Sequence, residues 1–284
     1  MDKIINLTVI GGGNLGVQIA FQSAIKKVNV IVYDIDFEAF SKAMELFPKL
    51  KGMYIKHQNI APDLLDEALN NIVFSTNLAE AVADADMIIE AVPENVEIKK
   101  ELYTSLATLA PKKTIFATNS STFLPSSLML FTGRPDRFLA LHFANALFRF
   151  NIAEVMGTPK TDPEVYATTV NFAKEIGMIP IEIKKEKAGY ILNTLLIPLL
   201  TAAAELFMRG VGDIETIDKT WRISTGAPAG PFEILDVIGL NTMYNIACTK
   251  DDISSKFFAH YLKENFINKG KLGYFSGEGF YKYE

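Results

Sequence analysis

Ile4-Ile5-Asn6-Leu7-Thr8-Val9-Ile10-Gly11-Gly12-Gly13-Asn14-Leu15-Gly16 is the stretch that decides the fold. Its first half is a short apolar run rich in β-branched residues, as a buried strand requires. Its second half has the pattern G-x-G-x-x-G, and Val17 to Lys27 then reads as a helix. Strand, glycine turn and helix in that order form the phosphate-binding corner of a dinucleotide fold. Gly11 permits the tight turn, Gly13 lets a pyrophosphate reach the backbone, and Gly16 lets the helix pack closely on the strand. Asn14 and Leu15 lie inside the turn, where the unpaired N–H groups of the helix start face the phosphates.

The next strand strengthens a motif that is weak alone. Asn29 to Tyr33 reads as strand and ends at Asp34, 18 residues past Gly16. That is close to the spacing of an acid that binds the adenosine ribose. A carboxylate there accepts from the free 2′-hydroxyl of NAD and repels the 2′-phosphate of NADP; Asp36 adds to the preference. NAD is the expected cofactor.

Further strands are expected at 72–74, 87–92, 114–118 and 179–183. Between the second and third, a helix over 37–47 is followed by another within 54–70, opened by Ala61-Pro62-Asp63. Strand carboxyl ends face the ligand crevice of an open α/β sheet, which puts Glu94 near the cofactor. Lys99 falls in the first turn of a helix over 97–109, where a cation opposes the helix dipole. It reads either as a ligand contact or as a solvated lysine. Asn119-Ser120-Ser121-Thr122 ends the fifth strand; its hydroxyls suit a substrate oxygen, and equally suit turn and helix caps.

Leu139 to Asn145 and Ile152 to Val155 are two apolar runs that form a hairpin if the chain turns near Phe148. His142 and Glu154 then stand opposite each other, close enough for the carboxylate to hold the imidazole. Such a pair is either a general acid/base with its orienting acid or a buried histidine satisfied for packing.

After about Lys187 strand alternation stops, and helices are expected at 187–209, 213–223, 231–247 and 253–267. The expected architecture is an α/β, Rossmann-type, mainly parallel sheet domain over 1–185 and an all-α domain over 186–284. Asn193 is a polar residue inside the first of these helices, and a buried amide needs partners, one of which could be a ligand. Ala188 to Met208 is apolar over roughly a membrane-spanning length, but Asn193, Pro198 and Glu205 interrupt it and four charged residues precede it. It reads as a buried or subunit-interface helix.

Composition bounds the rest. The 284 residues are 49% hydrophobic and 21% charged, with net charge −5. With no basic cluster, nucleic acid is not the expected partner. One cysteine excludes an internal disulfide, and three scattered histidines exclude the usual zinc patterns. No charged-then-apolar leader precedes the first strand, so a cytoplasmic protein is expected.

With these residues in view, the chain resembles the L-3-hydroxyacyl-CoA dehydrogenase family along essentially its whole length. The motifs that carry the resemblance are Gly11 to Gly16, Asp34, Glu90-Ala-Val-Pro-Glu94, Asn119-Ser-Ser-Thr122 and Leu141-His-Phe-x-Asn145. Glu154-Val155, Gly226-Ala-Pro-Ala-Gly-Pro-Phe232 and Gly277-Glu-Gly-Phe-Tyr281 complete them. The resemblance implies that His142 is the general acid/base, that Glu154 orients it, and that Ser121 and Asn193 complete the catalytic set. It implies cofactor contacts at Glu94, Lys99, Ser121 and Asn145, and a homodimer.

One stretch departs from the family. Ala146 stands where a proline is usual, and Leu147-Phe148-Arg149-Phe150-Asn151 is bulky where the family is small. The Ala144-Asn145-Ala146 variant and Glu186-Lys-Ala-Gly-Tyr190 look closer to relatives that act on small hydroxy or keto compounds without CoA. Diketoreductase and L-gulonate 3-dehydrogenase belong there. The expected function is hydride transfer between NAD(H) and C3 of a 3-hydroxy/3-oxo compound, with a non-CoA acid, ester or diketone favoured. A true 3-hydroxybutyryl-CoA or 3-hydroxyacyl-CoA dehydrogenase of fatty-acid metabolism is the alternative, and a catalytically silent NAD-binding protein the remote one.

Overall fold

An eight-stranded sheet organises the first of two units in the computed structural model, which describes residues 3–283. Its strands are β1 (Asn6–Ile10), β2 (Asn29–Tyr33), β3 (Ile72–Ser75), β4 (Met87–Glu90), β5 (Ile115–Thr118), β6 (Phe138–Phe143), β7 (Ile152–Gly157) and β8 (Ile179–Ile183). They lie in the order β3-β2-β1-β4-β5-β6-β7-β8. All neighbouring pairs are parallel except β6 and β7. The sequence reverses direction across the sheet between β1 and β4, and a doubly wound sheet binds ligands at the carboxyl side of such a switch point. The central strands β4 and β5 are buried along their whole length. That explains why they read as continuous apolar runs rather than as alternation.

The helices of this unit are α1 (Asn14–Ile25), α2 (Phe37–Gln58), α3 (Pro62–Asn70), α4 (Leu78–Val82), α5 (Val96–Leu109), α6 (Pro125–Leu128) and α7 (Pro163–Glu175). The helix expected to end at Phe47 instead runs through Pro48 to Gln58. Phe40, Ala43, Phe47, Leu50 and Tyr54 form one continuous buried stripe, and burial of that stripe outweighs the hydrogen bond that proline removes. Asp36 caps this helix by accepting from the Glu38 N–H (2.8 Å), a structural role where a cofactor preference was expected.

The second unit is helical: α8 (Leu192–Met208), α9 (Ile214–Thr225), α10 (Pro231–Ile238), α11 (Leu240–Cys248) and α12 (Ile253–Asn265). The division between the units falls after Tyr190, five residues beyond the expected boundary. The helix expected over 231–247 breaks at Gly239, whose φ of +93° no helix allows. No helix among the described residues is long and apolar enough to cross a membrane. Two buried carboxylates bind this unit to its own tail. Asp218 accepts from the Phe232 and Glu233 N–H groups and the Tyr281 hydroxyl. Asp236 accepts from the Phe280 and Tyr281 N–H groups and the Tyr283 hydroxyl. The glycine- and aromatic-rich motifs at 226–232 and 277–281 are therefore the two halves of one structural lock.

Candidate active site

The glycine turn joins β1 to α1 at the switch point. Gly11 has φ +110°, and a Cβ there would lie 2.5 Å from the Ala91 carbonyl oxygen at the end of β4. A Cβ on Gly16 would lie 1.9 Å from the Gly11 carbonyl oxygen, so only glycine lets the helix start sit on the turn. Gly13 has nothing within 4 Å of the space its Cβ would fill. The N-terminus of α1 carries no side-chain cap and no acid in its first turn. It therefore presents unpaired N–H groups and the positive end of the helix dipole to that open space, which fits a pyrophosphate. Asn14 and Leu15 open this helix, and the Asn14 side-chain oxygen accepts from Gln18 (3.3 Å). Asp34, at the end of β2, accepts from the Gly12 N–H through Oδ2 at 2.7 Å. The acid expected to bind a ribose thus also braces the glycine turn.

At the far side of the switch point, Glu94 Oε1 gathers four donors. They are the Ser120 hydroxyl (2.6 Å), the N–H groups of Ser121 (2.8 Å) and Thr122 (3.0 Å), and the Thr122 hydroxyl (3.0 Å). Lys99 Nζ stands 3.2 Å from Glu94 Oε2 and 2.5 Å from Glu90 Oε1. Burial alone would raise the Glu94 pKa. The Ser120 hydroxyl and the Lys99 charge outweigh that and hold its carboxyl below the usual carboxylate range. Glu90, itself fully buried, also accepts from Tyr103 (3.1 Å) and Thr118 (2.7 Å). Lys99 is 1% exposed. It is therefore not a solvated lysine but is buried between Glu90 and Glu94.

β6 and β7 pair antiparallel with His142 opposite Glu154. His142 Nδ1 lies 3.0 Å from Glu154 Oε2, and its Nε2 lies 3.1 Å from the Ser121 hydroxyl. Both members of the pair are buried, at 4% and 1% exposure. A carboxylate can only accept, so Nδ1 carries the proton and Nε2 of the neutral ring is the acceptor. That leaves the basic nitrogen pointing at Ser121, beside the end of β5. Asn145 is half-buried two residues past β6. Ser120 and Thr122 serve as turn braces, so of the hydroxyl cluster it is Ser121 that reaches the imidazole. Asn193 belongs to the second unit, in the first turn of α8.

Tyr190 is the residue that sequence reasoning missed. Its ring stacks on His142, with centroids 4.3 Å apart and planes 11° from parallel. Its hydroxyl donates to the Ser120 carbonyl oxygen at 2.8 Å. Burial pushes the phenol pKa up, helped by the carboxylates of Glu154, Glu94 and Glu90, so it stays a donor. The sequence pointed to the stretch Glu186-Lys-Ala-Gly-Tyr190 only as a mark of resemblance and gave its tyrosine no role.

Two family models match the chain: "3-hydroxyacyl-CoA dehydrogenase, NAD binding domain" over residues 6–187 and "3-hydroxyacyl-CoA dehydrogenase, C-terminal domain" over residues 189–283. Mitochondrial hydroxyacyl-coenzyme A dehydrogenase of Sus scrofa is 33% identical over 287 residues, spanning 98% of this chain and 91% of that protein. A probable 3-hydroxybutyryl-CoA dehydrogenase of Deinococcus radiodurans is 30% identical over 277 residues, 97% of this chain and 99% of that protein. A solved diketoreductase, described for substrate-directed dual catalysis of dicarbonyl compounds, is 57% identical with a TM-score of 0.90, and the match covers 100% of both chains.

Proposed function

The chain belongs to the 3-hydroxyacyl-CoA dehydrogenase family of NAD-dependent oxidoreductases acting on CH–OH groups, and from that premise we propose how its residues divide the work and what they act on. The reaction is reversible hydride transfer at C3 of a small 3-hydroxy/3-oxo compound. NAD, when bound, supplies the hydride acceptor. Gly11, Gly13, Asn14, Leu15 and Gly16 hold its phosphates, and Asp34 holds its ribose. By family resemblance Glu94 and Asn145 flank it, with Lys99 behind Glu94.

His142 Nε2 takes the hydroxyl proton in oxidation and returns it in reduction. Glu154 holds the Nδ1–H tautomer and stabilises the imidazolium that forms. Ser121, already 3.1 Å from Nε2, hydrogen-bonds the reacting oxygen. The assignment of Asn193 to the same task rests on the family resemblance. The single observation that carries the reading is the line Ser121–His142–Glu154 at the carboxyl ends of β5 and β6. A silent NAD-binding protein has no need of it.

His142→Ala should lower turnover by about two to four orders of magnitude while NADH still binds. Near-normal turnover would sink the assignment. For the substrate, a non-CoA keto acid, ester or diketone is supported by the 57% identity to a diketoreductase. An acyl-CoA substrate of fatty-acid metabolism is supported by the relatives at 30–33% identity. Rates on acetoacetyl-CoA against free 3-oxo acids, esters and diketones, each with NADH and NADPH, separate the two. A cytoplasmic homodimer is part of the proposal. Leu195 (70% exposed) and Ile223 (73%) leave apolar area on the second unit that a partner copy would cover. A monomeric mass at micromolar concentration counts against it.

A further inference from the structure

Segment 186–190 lies across the serine turn as a strap. Glu186 Oε1 accepts from the Ser126 N–H at 2.7 Å, and the Gly189 N–H donates to the Ser121 carbonyl oxygen at 3.2 Å. Tyr190 ends the strap in the left-handed backbone region, at φ +51°. A non-glycine residue held there is disfavoured and persists only where its surroundings fix it; such positions concentrate at functional sites. What fixes this one is plain from its contacts: ring on His142, hydroxyl on Ser120, 1% exposure.

We propose that Tyr190 is a positioning residue for the hydride-transfer reaction, clamping the imidazole of His142 and the Ser120–Ser121 turn into one rigid unit. The inference rests on the function proposed above. The two halves of the side chain do different things. The hydroxyl fixes the carbonyl of Ser120, and through the next peptide the position of the Ser121 hydroxyl relative to Nε2. The ring covers one face of the imidazole. It excludes water from that face, leaving the in-plane directions to Glu154 and Ser121. It also presents its negative π-face to the imidazolium, a cation–π contact present only when the ring is protonated. The clamp therefore favours the protonated form that begins reduction and ends oxidation.

The test uses the full-length protein and two variants, Tyr190→Phe and Tyr190→Leu, with His142→Ala as reference. NADH affinity is read by fluorescence quenching, kcat and KM in both directions, and kcat/KM across pH. In Tyr190→Phe the ring stays and the tether goes. Here kcat should fall about three- to tenfold, the net worth of one hydrogen bond, with NADH affinity and the pH profile unchanged. In Tyr190→Leu both go. The bend of the pH profile should move down by about 0.5–1.5 units, and reduction near neutral pH should suffer more than oxidation.

A Tyr190→Phe variant with the kcat of the parent overturns the tether, and remains decisive if Tyr190→Leu does not fold. A Tyr190→Leu variant that is merely less stable, with its pH profile unmoved, overturns the role of the ring. If His142→Ala is inactive while both tyrosine variants behave as the parent, only this inference fails. If His142→Ala keeps its turnover, the proposed function itself fails.

Discussion

Glu154→Gln isolates what the buried carboxylate contributes. Glutamine has nearly the same size, and its side-chain oxygen can still accept from Nδ1–H, so the imidazole should keep its tautomer and orientation. What disappears is the negative charge 3.0 Å from Nδ1, in a pair only 4% and 1% exposed. A hydrogen bond to a charged group is worth about 1.5–3 kcal/mol against about 1 for a neutral one. The variant therefore loses about 0.5–2 kcal/mol of imidazolium stabilisation as a floor, since weak screening at a buried site adds to it. At 1.36 kcal/mol per factor of ten, kcat should fall by at least about twofold, and by about thirtyfold at the upper end. Glu154→Ala removes orientation as well, leaves Nδ1–H unpaired at a further cost of about 1–3 kcal/mol in stability, and should be the slower enzyme. NADH consumption gives the rates, and fluorescence quenching should show cofactor affinity unchanged in both, because β7 lies four strands from β1 and its glycine turn in the sheet. Two equally impaired variants would mean that charge alone matters. A Glu154→Gln enzyme as fast as the parent would refute the reasoning, leaving Glu154 as packing.

Other outcomes follow from the same geometry. Asp34→Asn keeps an acceptor for the Gly12 N–H but removes the charge, so NADH affinity should drop about tenfold and the preference for NADH over NADPH should shrink at least as much; an unchanged preference ratio would locate discrimination elsewhere. Glu94 has its carboxyl held below its ordinary value of 4.5, so its stabilising contribution is fully present above that pH and is lost as pH falls through the depressed value. The stability gap between the parent and Glu94→Gln, from denaturant titrations, should be constant at pH 5–7 and close below about 4.5; a gap that widens in acid would reverse the sign. Ala146→Pro demands φ near −65° where the backbone has +63°, and removes the N–H that donates to Gln18 at 3.0 Å. It should cost about 3 kcal/mol or more and lower Tm by roughly 6–12 °C, whereas Ala146→Gly should be neutral or stabilising.

Much of this site was legible in the sequence, because the features concerned are encoded locally. A glycine turn is dictated by residues with no side chain, and here each omitted Cβ corresponds to a contact at 1.9 or 2.5 Å or to an open space. The pairing of His142 with Glu154 followed from two apolar runs and one turn, since strand register admits few alternatives. Tyr190, Lys99 and the length of α2 were not legible, for a common reason: each is decided by contacts that exist only once the chain has folded. A tyrosine inside an apolar run carries no mark of the ring it will stack upon. A lysine in a helix's first turn looks like a surface residue until Glu90 and Glu94 are found on either side of it. Pro48 should have ended α2, and did not, because the buried face continues past it to Tyr54.

The loop from Ala146 to Asn151 is where sequence and structure together narrow the substrate question. Its bulky residues look like an altered binding surface, but two of them face inward. Leu147 and Phe148 are 0% and 2% exposed. Phe148 packs against Tyr54 and His57 of α2, and its carbonyl accepts from Gln58 at 3.1 Å. Gln18 of α1 holds the loop's start by accepting from the N–H groups of Ala146 and Leu147. Ala146 can donate only because it is not proline, and the left-handed turn it makes is one that proline cannot make. The change at 146 and the bulk at 147–148 are therefore one structural substitution: a loop pinned by an aromatic plug in place of one stiffened by proline. Only Arg149 and Phe150 are left facing solvent, the latter 43% exposed. If this loop discriminates between a CoA thioester and a smaller keto compound, those two side chains must do it. Replacing both by alanine should then alter the ratio of rates on the two substrate classes, whereas replacing Phe148 should lower stability and leave that ratio alone.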